Sequence, residues 1–210
     1  MNLRQRQGGG HEGSTRHRLL PQMRVIAGTA GGRRLEAPKG MLTRPTPDRV
    51  REALFSILYD RAVDARVLDV FAGTGALGIE ALSRGAAYAV FVEQDVQTAN
   101  LVRKNVQALG FDDRAKVVAE PASRAIEGLA RGGDVFDLAF LDPPYDDGLL
   151  GPTMKLLDQS PIISVGAIVV CEHRSSDAPP EPPPSFVLED TRSYGEVALS
   201  FYLRAKGHPA

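Results

Sequence analysis

From residue 66 onward, compact apolar runs alternate with longer segments whose apolar residues recur every three or four positions. RVLDVF (66–71), YAVFVE (88–93), AKVVAE (115–120), VFDLAFLD (135–142) and GAIVVCE (166–172) are rich in β-branched and aromatic residues, which predicts strands. Between them, ALGIEALSRG (76–85), DVQTANLVRKNVQALG (95–110), SRAIEGLARG (123–132) and LGPTMKLLDQ (150–159) carry helical spacing; the first two close on Gly85 and Gly110. Such alternation implies a parallel sheet with helices on both faces. The Pro-rich segment 177–184 suits neither helix nor central strand. SFVLED (185–190) and EVALSFYL (196–203) follow it, separated only by TRSYG (191–195), so they are expected to pair antiparallel. The predicted class is α/β: seven strands, mostly parallel, with a C-terminal antiparallel hairpin.

Upstream, TPDRVREALFSILYD (46–60) predicts a helix with Thr46 as N-cap, Pro47 at the first position and Asp48 at the positive end of the dipole. Val50, Leu54, Ile57 and Leu58 form its apolar stripe, which Arg49 and Arg51 do not join. Residues 23–46 read as one or two short strands with Gly and Pro turns. Residues 23–61 are thus expected to form a small β/α extension on a main domain over 62–205. Residues 1–22, polar and Gly-rich, are expected to be a disordered basic extension.

Composition narrows the function classes. The 210 residues are 43% hydrophobic, enough for one core without staples. A single cysteine, Cys171, excludes an intrachain disulfide and fits a cytoplasmic setting. No apolar run is long enough to span a bilayer, and no Cys/His cluster has metal-ligand spacing, so neither membrane nor metal is expected. The net charge of −1 hides an asymmetry. Residues 1–61 hold twelve Lys/Arg against five Asp/Glu; the remainder holds thirteen against twenty-one. A basic front on an acidic body suggests a polyanionic partner. Arg24, Arg33, Arg34, Lys39, Arg44 and Arg49 are the phosphate-contact candidates.

Two motifs carry chemistry. Gly73-x-Gly75-x-x-Gly78 lies between a strand and a helix, with Glu93 twenty residues after Gly73. Glycines permit a tight turn and close approach of a ligand, and a carboxylate at Glu93 accepts from two ribose hydroxyls. Asp69, near the first strand's end and expected to face the pocket, would repel a pyrophosphate and attract a cation. D-x-F-x-G-x-G over Asp69, Phe71, Gly73 and Gly75 therefore suits S-adenosylmethionine, with its sulfonium and ammonium groups, better than a dinucleotide. The second motif is Asp142-Pro143-Pro144-Tyr145 at the fourth strand's exit. Asp142 and the Pro143 carbonyl are two acceptors held by a rigid Pro-Pro step, and an exocyclic amine can donate one hydrogen to each. Tyr145 can stack on an unpaired base. His173, after the fifth strand, reads as structural.

RPTPDRVREALF (44–55), FAGTGALGIEALSRGA (71–86), FVEQD (91–95), LDPPY (141–145) and YGEVALSFY (194–202) together resemble the RsmD family of bacterial class I methyltransferases, which modify a guanine amine in 16S ribosomal RNA. The resemblance implies a Rossmann-like seven-stranded fold and a monomeric enzyme acting on 16S rRNA in an assembling 30S particle. By resemblance, Asp69, Phe71, Gly73, Gly75 and Glu93 would hold the cofactor, and Asp142, Pro143 and Tyr145 the target base. The segment containing Thr46 would cover the cofactor pocket. The family often carries an acidic residue beside a small one after the third strand; here the chain reads Glu120-Pro121-Ala122, with Ala122 expected near the cofactor adenine. Alternatives are an adenine-amine methyltransferase, a nicotinamide-dependent oxidoreductase and a non-catalytic RNA-binding module.

Overall fold

Residues 23–37 and 47–206 are described in a computed structural model of the chain. Lys39, Arg44, Thr46 and the expected extension at 1–22 lie outside them. The seven strands are β1 Arg66–Val70, β2 Tyr88–Val92, β3 Ala115–Val118, β4 Phe136–Leu141, β5 Ile163–Arg174, β6 Phe186–Tyr194 and β7 Val197–Arg204. They form one sheet in the order β3-β2-β1-β4-β5-β7-β6. β1 to β5 are parallel, and β7 pairs antiparallel with both β5 and β6. The α/β class with its C-terminal antiparallel hairpin therefore stands. None of the described helices is long and apolar enough to cross a membrane.

The helices are α1 Asp48–Leu58, α2 Ala76–Ser83, α3 Val96–Ala108, α4 Ala122–Arg131 and α5 Leu150–Gln159. Two apolar layers result, because successive strand residues point to opposite faces. Phe140, Val170 and Leu199 lie in the layer that takes Val50, Leu54, Phe55 and Leu58 of α1, while Leu141, Val169 and Tyr202 lie in the layer that takes Leu129 and Leu157. Phe55 meets Phe140 at 5.7 Å between ring centroids. Each of the four α1 side chains contributes about 2 kcal/mol by burial.

Several boundaries differ from the sequence expectation. α1 begins one residue late, with Pro47 in the cap position and no side-chain cap. Ile57 is exposed, whereas Arg51 is 1% exposed and donates to the Arg24 carbonyl at 2.6 Å and to Asp48 at 3.0 Å. A buried guanidinium needs acceptors, and the Arg24 carbonyl becomes one only once the N-terminal segment docks. Phe71 leaves β1 with φ of +76°. β5 continues through His173 and Arg174, which pair with Ala198 and Val197. The expected turn 191–195 shrinks to Gly195 and Glu196, because Thr191–Tyr194 pair with β7. These β6 residues are polar because an edge strand needs only its backbone to find a partner.

Residues 23–35 form a short ribbon held at the Arg24–Arg34 bridge. It docks on α2 through a carboxylate that apolar patterning does not reveal. Glu80, 0% exposed, accepts from Ile26 N at 2.7 Å, Ala27 N at 3.0 Å and Arg84 Nε at 2.7 Å. A buried carboxylate is tolerated only when so satisfied. Beside it, Thr29 N donates to the Ser83 carbonyl at 2.8 Å. Gly28, with φ of +82°, approaches so closely that a Cβ would fall 1.9 Å from that carbonyl oxygen. Gly28→Ala should therefore cost about 2 kcal/mol and lower the thermal midpoint by roughly 5 °C. A midpoint within about 1 °C of the unaltered protein's would refute the docking.

Candidate active site

β1 has β2 on one side and β4 on the other, so the strand order reverses between β1 and β4. Ligands of open α/β sheets bind at the carboxyl ends beside such a reversal. Both motifs lie there. Val70 pairs with Leu141, so the glycine loop after β1 and Asp142 after β4 leave the sheet side by side.

The glycine loop is braced from three directions. Gly73 N donates to Glu93 Oε2 at 3.0 Å, and Asp95 N donates to Glu93 Oε1 at 2.9 Å. Glu93 thus ties the first strand-helix turn to the second, and each of its oxygens has a further lone pair for a ligand hydroxyl. Thr74 Oγ1 donates to Met23 Sδ at 2.9 Å. Asn105, buried on α3, donates to the Thr74 and Glu36 carbonyls, each at 3.0 Å. Its Oδ1 accepts from Glu36 N at 2.8 Å. Sequence reading missed Asn105; the signal was an amide among the buried-face residues Ala99, Val102 and Val106. Gly73 has φ of +54°, and a Cβ there would meet nothing within 4 Å. The backbone at Gly73 therefore faces open space that a ligand can enter, which fits the expected cofactor.

Asp69 does not face an open pocket as expected. It is 1% exposed, and its Oδ2 accepts from Gly78 N at 2.9 Å. The loop turns back at Phe71 and closes over the strand end. Burial pushes the Asp69 carboxyl up to about 7; the Gly78 N–H opposes this and the Glu93 charge adds to it. Asp69 is therefore not an exposed contact for a ligand. Phe71 is half-buried beside the loop, and Ala122 opens α4 behind Pro121, while Glu120 is exposed.

On the other side, a cavity of about 220 Å³ is lined by Pro143, Pro144, Tyr145, Glu172, His173 and Arg174, with residues of α5 and the Pro-rich loop. Tyr145 Oη donates to Glu172 Oε1 at 3.0 Å, and the Arg174 guanidinium lies 5.4 Å from the Tyr145 ring centroid. Glu172 and Arg174 line this cavity, and sequence reading did not single them out. Glu172 resembles Asp142 in following an apolar run, but β5 continues past it to Arg174. His173 is buried, its Nε2 2.8 Å from Ser200 Oγ and its Nδ1 2.9 Å from the Arg174 carbonyl, in keeping with a structural role.

The basic candidates are dispersed. Arg24 pairs with Asp48 at 3.1 Å, an exposed contact of small energy. Arg33 donates to the Ala108 carbonyl at the end of α3, and Arg34 sits opposite Arg24 on the ribbon. None of these three lines the cavity. Arg49 is exposed near the rim, its Nη2 3.8 Å from where a Gly195 side chain would begin.

Residues 23–203 match the model of a family described as conserved hypothetical protein 95. The chain is 39% identical over 183 residues to ribosomal RNA small subunit methyltransferase D of Escherichia coli K12, covering 87% of this chain and 90% of that protein. A hypothetical protein of Thermus thermophilus superposes with a TM-score of 0.73 at 34% identity, over 85% of this chain and 98% of the other. An RNA methyltransferase of Salinibacter ruber in complex with S-adenosyl-L-homocysteine shares the fold at a TM-score of 0.61 and 16% identity, over 79% of this chain and 97% of that one.

Asp69 makes stability depend on pH. The unfolded group ionises near 3.9. The folded protein therefore keeps a proton that the unfolded chain releases between about pH 4 and pH 7, and stability is lost as pH rises through that window. Asp69→Asn can keep the Gly78 bond without the charge. Its stability relative to the unaltered protein should rise by about 2 kcal/mol between pH 5 and pH 8. Urea unfolding at both values measures this; a difference that does not change with pH would contradict it.

Proposed function

The chain belongs to the conserved hypothetical protein 95 family, the RsmD family, and from that premise we propose that it methylates the exocyclic amine of a guanine in 16S rRNA. The observation that carries this reading is the side-by-side exit of β1 and β4, which sets a glycine loop suited to S-adenosylmethionine beside an Asp-Pro-Pro-Tyr turn suited to an amine. The cofactor supplies an electrophilic methyl on a sulfonium.

The chain's own residues do the rest. Gly73, Gly75 and Phe71 line the cofactor, and Glu93 accepts from its ribose. Asp69 stabilises its cationic end through the field of a buried charge, and Ala122 borders its adenine. Asp142 and the Pro143 carbonyl each accept one hydrogen of the guanine amine, drawing its lone pair out of conjugation and aiming it at the methyl carbon. The surplus proton leaves along the bond to Asp142. Arg174 covers one face of Tyr145, so the base stacks on the other. Positioning and acceptor hydrogen bonds supply most of the rate.

Arg24, Arg33, Arg34, Arg44 and Arg49 contact phosphates without reading sequence. Residues 23–61 form the RNA-facing and cofactor-covering extension, and 62–205 the catalytic domain. The enzyme acts as a monomer on an assembling 30S particle.

Asp142→Ala should reduce methyl transfer to small-subunit particles by at least about 10²-fold while cofactor affinity stays within about twofold. Counting radiolabelled methyl in rRNA and titrating the cofactor by calorimetry separate the two effects; retained turnover would remove Asp142 from the site. Glu93→Ala should instead weaken cofactor binding about tenfold or more, since it removes charge-assisted acceptors. Unchanged affinity would exclude Glu93 from cofactor binding.

A further inference from the structure

The amine clamp reads an amine, and adenine and cytosine carry amines too. Nothing in Asp142 or Pro143 selects guanine. The two purines differ next to the amine: guanine presents N1–H, a donor, where adenine presents a bare N1 acceptor. A guanine-selective site therefore needs a second acceptor beside the clamp, and a carboxylate is the strongest one, since it attracts N1–H and repels the lone pair of N1.

Glu172 meets this need by place and chemistry. β4 and β5 are parallel neighbours with Leu141 opposite Cys171, so the next residues, Asp142 just past the end of β4 and Glu172 inside β5, fall on the same face, on strands about 5 Å apart. Glu172 is 5% exposed and lines the same cavity as Pro143 and Tyr145. Its backbone is fixed by pairing with Leu199 of β7, directly after Cys171 pairs with Leu141 of β4. Oε1 takes the Tyr145 hydroxyl at 3.0 Å, which sets the carboxylate relative to the stacking ring. A carboxylate has about four acceptor positions, so it can take several donors at once.

We propose that Glu172 is the guanine-selecting residue: its carboxylate accepts N1–H of the target base while Asp142 and Pro143 hold the adjoining amine, and its bond to Tyr145 holds the stacking ring in register with both. This rests on the proposed function, a base amine held at Asp142. Tyr145 is in this account a positioning partner of Glu172 as well as a stacking surface. The selection is electrostatic: a base whose N1 lacks a hydrogen leaves a buried carboxylate facing a lone pair.

The discriminating probe is 2-aminopurine, which keeps the 2-amine but has an acceptor at N1. After the methylated guanine has been mapped, 16S rRNA carrying guanine or 2-aminopurine there would be assembled into particles and offered to the full chain. The unaltered protein should methylate guanine at least about 10²-fold faster than 2-aminopurine. Glu172→Gln, whose amide also donates, should bring the two within about tenfold of each other. Tyr145→Phe, which releases the carboxylate from the ring, should slow both substrates and narrow their ratio, whereas a merely structural role for Glu172 predicts an unchanged ratio. Equal rates in the unaltered protein, or a ratio unmoved by Glu172→Gln, would overturn the selection while leaving the methyl transfer intact. Failure of the unaltered protein to methylate guanine would overturn the proposed function and this inference with it.

Discussion

Hydrogen bonding between β1 and β4 holds Val70 against Leu141, and the two chemical motifs meet because of that pairing. The residues involved are some seventy apart in sequence, and each motif leaves its strand as an irregular loop. Neither loop could hold the other at a set separation. The strands can, since a parallel ladder fixes register, and a slip of one residue would send Asp69 and Asp142 to the opposite face. The buried apolar residues on both faces resist that slip. Packing far from the site is thus what sets the distance between cofactor loop and amine clamp.

The carboxyl edge of the sheet carries a row of carboxylates: Asp69 in β1, Glu93 after β2, Asp142 after β4 and Glu172 in β5. Such a row would repel phosphate. It suits a ligand that is cationic at one end and rich in donors elsewhere, and a base presenting N–H groups. The basic residues of the front lie apart, on the ribbon and α1, while Arg174 stands at the cavity. In the proposed reading the opposing charges of front and body divide the labour, with arginines for an RNA backbone at the flank and carboxylates for the reacting groups at the centre. Taking a carboxylate out of water costs stability, and the raised Asp69 carboxyl is the visible sign of that cost, to which the Glu93 charge adds.

The ribbon belongs to the site although it contributes no strand to the sheet. Glu80 and Ser83 on α2 hold it from below, and Asn105 on α3 ties Glu36 to the glycine loop. Hydrogen bonds thereby connect the basic segment to the loop that would hold the cofactor. Arg51 closes the connection by joining α1 to the ribbon backbone.

The strand-helix alternation, the antiparallel end and both motifs were legible in the sequence, because each depends on neighbouring residues: apolar period, Gly and Pro placement, and a carboxylate at a strand exit. Polar residues with distant partners were not. Glu80, Arg51 and Asn105 look like surface residues until the ribbon docks, and Thr191–Tyr194 looks like a turn until β7 lies beside it. Asp69 was legible as a charge, but its enclosure was decided by the backward turn at Phe71. The chain alone determined which groups could bind an amine and a cationic cofactor. Tertiary structure decided which of them stand together, and it added Glu172, because the neighbour of a strand is chosen by sheet order and register, which no local pattern encodes.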